Sequence, residues 1–155
     1  MFLALVLSAA TAVSVTEPIS VFRQACMDGS ARFKRESISD ISAKQLPGAI
    51  RTSIPAKAKG RHFRLRGTAK PAFLSTYGGL GAEKNCQVAA RGIDFETAVR
   101  AVSGQPLNLP QNANVNRLDR WSQKMLAGYQ LDVWRAADGF LVMHTKTTAK
   151  GNGVQ

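Results

Sequence analysis

The most regular pattern along the chain lies between Asp94 and Ser103, where Phe95, Ala98, Val99 and Val102 recur at i, i+3, i+4 and i+7. That spacing predicts one apolar helix face. Asp94 suits the N-cap, Gly104 the C-cap, and Pro106 prevents continuation. A second helix is predicted from Pro18 to Glu36, with Ile19, Phe22, Cys26 and Phe33 on one face. Thr16 can cap it and Pro18 suits its first turn. Gly29 weakens its middle, so a kink or stop is expected near Asp28. Arg32, Lys34 and Arg35 would complement the dipole at its far end. Ser39 to Gln45 reads as a short helix broken by Leu46-Pro47-Gly48, and Ala49 to Ile54 as a short apolar piece before Pro55.

Elsewhere the period is two. Arg61 to Gly67 alternates, with Phe63 and Leu65 to one side and Arg64 and Arg66 to the other. Ala72 to Tyr77 is a second strand, turned by Gly78-Gly79-Leu80-Gly81. Cys86 to Ala90 is a third, with Cys86, Val88 and Ala90 on the same side. Trp121 to Leu126, Tyr129 to Arg135 and Phe140 to Thr145 complete the set. Asp138-Gly139 is a hairpin signal between the last two. Residues 105–120 are rich in Asn, Gln and Pro and read as a long surface loop. This order of elements predicts an α+β fold, with helices packed on one face of a mainly antiparallel sheet.

Length fits one domain: the chain has 155 residues, 45% of them hydrophobic. The apolar start Phe2 to Leu7, followed by Ala10-Thr11-Ala12, has the form of a signal peptide over residues 1–12, although no Lys or Arg precedes it. A buried N-terminal helix or strand is the alternative. The folded domain is then expected over 18–148, with a flexible tail over 149–155. No apolar run reaches about 18 residues, so no transmembrane span is expected in the mature chain. Arg23 spoils a lipobox before Cys26. A periplasmic or secreted location follows, and there the two cysteines, Cys26 and Cys86, have one intramolecular pairing. Two buried thiols are the alternative, and a reactive Cys26 has no neighbouring His or CxxC partner to activate it.

Charge is unevenly placed. The net charge is +11, and no acidic residue lies between Asp40 and Glu83. Lys57, Lys59, Arg61, Arg64, Arg66 and Lys70 form a candidate anion-binding set, with Lys44 and Arg51 in the same stretch. An anionic envelope polymer or an acidic protein is the expected partner, nucleic acid is less favoured, and a merely solvated basic face is the plain alternative. Aromatic residues are sparse, at 7%, and no RNP motif, helix-turn-helix or zinc finger is present. No HExxH, HxxxH or CxxC points to a metal, and no cofactor motif stands out. His62 and His144 are the candidate acid–base pair of a secreted hydrolase or nuclease, but no third partner stands at a recognisable spacing. A non-enzymatic binding domain is therefore the leading expectation.

The signal-like start, the segment Phe22-Arg23-Gln24-Ala25-Cys26-Met27-Asp28-Gly29 and the later Asn85-Cys86-Gln87-Val88 resemble small exported proteins of Gram-negative proteobacteria. Those proteins carry one early and one mid-chain cysteine. The resemblance implies an extracytoplasmic compartment and a disulfide; it implies no activity.

Overall fold

Seven strands pair antiparallel in one sheet, in the order β1-β2-β3-β4-β7-β6-β5. The computed structural model describes residues 17–28, 35–79, 81–104, 120–125 and 128–147. The strands are β1 (Ile38–Ile41), β2 (Gly60–Leu65), β3 (Ala72–Gly78), β4 (Lys84–Ala90), β5 (Arg120–Lys124), β6 (Tyr129–Arg135) and β7 (Leu141–Thr147). Three short helices accompany them: α1 (Pro18–Phe22), α2 (Gly48–Ser53) and α3 (Phe95–Ser103).

The predicted fold class needs correction. Among the described residues the protein is mostly β, a seven-stranded antiparallel sheet with a few short helices, not helices layered on one face of a sheet. None of the helices among the described residues is long enough to form such a layer, and isolated helices below about 12 residues are marginal in water. They also divide between the two faces. Val21 and Phe22 of α1 and Ala98, Val99 and Val102 of α3 pack with Leu74, Val88, Leu131, Val133 and Met143 on one face. Leu46 and Ile50 cover Phe73, Ala89, Phe140 and Val142 on the other.

The long helix expected over 18–36 is divided. α1 runs into a single π-helical turn, Arg23–Met27, which ends at Asp28. A tight 3-10 turn, Arg35–Ser37, leads into β1. Residues expected to form a helix over 39–45 instead supply β1 and a one-turn 3-10 segment, Ala43–Gln45. Pairing decides this: Ile38 to Ile41 lie opposite Leu65 to His62 on the free edge of β2, so ladder bonds replace intrahelical ones. The predicted α3 is present, with Asp94 accepting from the Thr97 N–H at 3.0 Å and Gly104 at φ 69° closing it. The Asp138-Gly139 turn joins β6 to β7, with the Gly139 N–H bonded to the Ala136 carbonyl at 2.9 Å.

Cys26 and Cys86 form a disulfide with Cα atoms 5.4 Å apart. It ties the π-helical turn to β4 in the middle of the sheet, and Thr145 Oγ1 of β7 donates to the Cys26 carbonyl at 3.3 Å. No helix among the described residues is long and apolar enough to cross a membrane. The segments expected to form a signal peptide (1–12), a cap at Thr16 and a flexible tail (149–155), and nearly all of the expected 105–120 loop, lie outside the described residues.

Candidate functional site

One register row is polar at each of its positions from β2 to β5 and ends at Ile41 on β1. His62 pairs with Ser75, Ser75 with Gln87, Gln87 with His144, His144 with Asp132, and Asp132 with Ser122. All but Ser122 are buried. The row beside it is polar too, reading Tyr77, Asn85, Lys146, Gln130 and Lys124. The row on the other side includes Phe73, Ala89, Val142 and Trp134 and is mainly apolar. Alternation places all three rows on the α2 face of the sheet. That face therefore changes from hydrophobic core to polar floor within a single register step of two residues, about 7 Å.

Buried polar groups are tolerated only when hydrogen-bonded, and those around His144 form a continuous network. His144 Nδ1 lies 3.2 Å from Asp132 Oδ2 and its Nε2 lies 2.9 Å from Asn85 Oδ1. Asn85 Nδ2 donates to Glu83 Oε1 at 3.0 Å, and Glu83 Oε2 pairs with Lys146 Nζ at 3.1 Å. Asp132 Oδ1 accepts from Ser122 Oγ and, at 3.0 Å, from Gln130 Nε2. The Tyr77 ring lies 17° from parallel to the imidazole, and Trp134 meets it edge-on. Further along the row, His62 Nδ1 is 3.0 Å from Ser75 Oγ. The Tyr77 hydroxyl donates to Gln87 Oε1 at 3.5 Å, whereas Gln87 Nε2 has no acceptor among the described residues.

Burial and hydrogen bonding set the charge states. Burial lowers the pKa of His144, and Asp132 only partly restores it; burial alone lowers that of His62. Burial works to raise Asp132, but hydrogen bonds from Ser122, Gln130 and His144 outweigh it and hold the carboxyl below its usual range. Glu83 is also held low, by its bonds from Asn85 and Lys146. Tyr77 is pushed up to about 12, first by burial and then by the Glu83 charge. At neutral pH the floor thus carries two carboxylates, a protonated phenol and neutral imidazoles.

A cleft of about 460 Å³ opens over this floor, bounded by Tyr77, Asn85, Asp132, Trp134 and His144. A second cleft of about 530 Å³ lies over His62, between Lys44, Arg51, Leu46 and Ile54. Pro55, just past the end of α2, lines both.

The sequence-predicted residues fall into two groups. His62 and His144 share the α2 face and one register row, but two strands separate theirs. Three strand spacings put their Cα atoms about 14 Å apart, so they do not converge on one bond. His144 does belong to an Asp–His pair, yet its outer nitrogen faces an amide oxygen where a catalytic imidazole would meet a nucleophile or substrate proton. Among the described residues no group of three or more His, Cys, Asp or Glu side chains is placed to hold a metal.

The six predicted anion-binding residues are all exposed but do not form one patch. Lys57 and Lys59 precede β2, and Lys70 lies in the turn beyond its far end, against Gly92. Arg61 points to the face opposite Arg64, where it pairs with Asp40 at 3.3 Å and lies over the Phe63 ring. Arg66 donates through Nε to Ser39 Oγ at 2.5 Å. Lys44 and Arg51, outside that set, stand on the Arg64 side of the sheet at the 530 Å³ cleft, and Arg51 Nη1 donates to the Lys44 carbonyl at 3.4 Å. The Asn85, Gln87, Asp132 and Gln130 positions were not singled out by sequence reasoning. Their signal was polar residues at alternate positions of otherwise apolar strands, visible only once the strand order is known. No family model, no curated protein and no solved structure matches this chain.

Proposed function

We propose that this protein is an extracytoplasmic, disulfide-stapled, non-enzymatic domain that binds an anionic partner through the corner of the fold built by its acid-free segment. The supporting observation is charge segregation in space. Residues 41–82 contribute the Ala43–Gln45 turn, α2, β2 and β3, and they contain no carboxylate side chain. Lys44, Arg51, Lys57, Lys59 and Arg64 are exposed there, and none has an ion pair among the described residues. Unneutralised cations, two of which (Lys44 and Arg51) line the 530 Å³ cleft, raise the local concentration of anions. The disulfide is compatible with an oxidising compartment. Catalysis by His62 and His144 finds less support, because the two rings sit in separate hydrogen-bond networks.

The test is binding of fluorescein-labelled polyglutamate, followed by anisotropy across a salt series. The triple variant K44E/R51E/R64E is compared with R23E/K84E/K124E, which changes net charge equally at other exposed sites. Selective loss in the first variant is expected. Equal loss in both would reduce the effect to bulk charge and overturn the reading.

A further inference from the structure

We infer that the cleft over His144 is a second binding site, which takes a neutral, hydroxyl-rich ring of the pyranose saccharide class rather than an ion. The inference goes beyond the anion-binding reading and does not depend on it, since the linings of the two clefts have only Pro55 in common.

The first argument is the placement of polar groups. Two adjacent register rows at the centre of a sheet are polar, where the third row of the same face is built mainly from apolar side chains packed under α2. A stabilising core would continue that packing, because burying polar groups costs free energy even when most are paired. A cleft of about 460 Å³ above them lies within the range of roughly 300–1,000 Å³ usual for small-molecule sites.

The second argument is charge balance. Inside the cleft Glu83 is matched by Lys146, and Asp132 by donors from Ser122, Gln130 and His144. An ionic ligand would find few uncompensated charges there, apart from the exposed Arg120 at the rim. The lining instead alternates acceptors and donors over a short distance: carboxylates and the Asn85 carbonyl beside the Gln130 amide and the Lys146 ammonium. A hydroxyl both donates and accepts, so a ring bearing several hydroxyls matches such a surface without bringing charge.

The third argument is the aromatic content. Trp134 is half-buried and Tyr77 lies against His144, so flat apolar surface stands next to the polar groups. A pyranose presents C–H faces and hydroxyl edges in the same combination.

Trp121→Phe leaves Trp134 as the sole tryptophan and makes its fluorescence a local probe. The probes are cellobiose, maltose, lactose and chitobiose, with AMP and spermidine as ionic counterparts. At least one neutral disaccharide is expected to give a saturable change at millimolar concentration. Gln130→Ala should weaken it tenfold or more, while K44E/R51E/R64E leaves it unchanged. Lys146→Met, at a side chain 39% exposed, provides a second variant should Gln130→Ala fold poorly. The inference is overturned if no disaccharide saturates, if AMP or spermidine gives the stronger response, or if the sugar response survives in both cleft variants.

Discussion

His144 and Asn85 meet ring nitrogen to carbonyl oxygen, with Nε2 2.9 Å from Oδ1. The amide cannot turn round at no cost, because its Nδ2 donates to the Glu83 carboxylate. On the other side of the ring Asp132, an acceptor, faces Nδ1. A neutral imidazole carries one proton, so one of its nitrogens must face an acceptor as an acceptor. A charged imidazolium would satisfy both bonds, but burial opposes it and keeps the pKa below the ordinary histidine value.

That opposition gives a pH dependence of stability with a definite sign. Unfolded histidines titrate near 6.5, whereas His62 and His144 are lowered in the fold. Between the two values the unfolded chain binds more protons, so stability rises with pH in that interval. The contribution is complete above about pH 6.5 and is lost as pH falls toward the folded values. Asp132, Glu83 and Asp94 are also lowered, and their contribution is lost at more acid pH, below the usual carboxylate value of about 4. Urea midpoints should therefore decline in two stages on acidification. His62→Gln/His144→Gln should flatten the upper stage only; an unchanged upper stage would refute the assignment.

Replacing Asn85 by Asp tests the same contact from the partner's side. A carboxylate at that position would face Nε2 with negative charge and favour the imidazolium. The His144 pKa, followed by the NMR shift of its ring C–H, should rise in Asn85→Asp relative to the parent. His62 serves as the internal reference, because it bonds Ser75 and is not part of the Asn85 network.

The disulfide closes a sequence separation of 60 residues. On the chain-entropy account a loop of that size contributes about 4 kcal/mol, set against typical total stabilities of roughly 5–15 kcal/mol. Cys26→Ala/Cys86→Ala should lower the free energy of unfolding by about that amount. Amide exchange should accelerate first at Val21 and Phe22, whose helix is held near β4 by the bridge. Equal acceleration across β3, β4 and β7 would mean that the bridge stabilises only the whole chain.

Local signals in the sequence carried the elements whose stability is itself local. α3 was legible because one helix face, an Asp cap and a Gly cap agree within eleven residues. β2, β3, β4, β6 and β7 were legible from alternation and from the Asp138-Gly139 turn. β1 was not, since Ile38–Ile41 is a strand only through the β2 edge it meets. The first helical segment ends at Asp28, where Gly29 made a stop legible; its last turn, Arg23–Met27, is π-helical and is held to the sheet by Cys26 and Thr145. The candidate site was legible only in part. His62 and His144 were visible as rare residue types, but the row joining them depends on β4 pairing with β7 across 50 or more intervening residues. No window of local sequence contains that relationship.

Asp132 is where that row holds the most hydrogen bonds, and its removal separates network from local structure. Asp132→Ala withdraws the acceptor from Ser122, Gln130 and His144 at once. Leaving a buried polar group without its hydrogen-bond partner costs about 1–3 kcal/mol, and the loss here is expected near the upper end because His144 and Gln130 lose the same acceptor together. Asp132→Asn keeps an acceptor oxygen and should cost less. Asp94→Ala, which removes the N-cap bonds from the Thr97 N–H and hydroxyl at α3, should cost only about 1 kcal/mol. Urea unfolding of the three variants ranks them directly. A loss for Asp132→Ala no greater than that for Asp94→Ala would mean that the polar row contributes little to folding, and that its buried groups are held in place by the surrounding sheet alone.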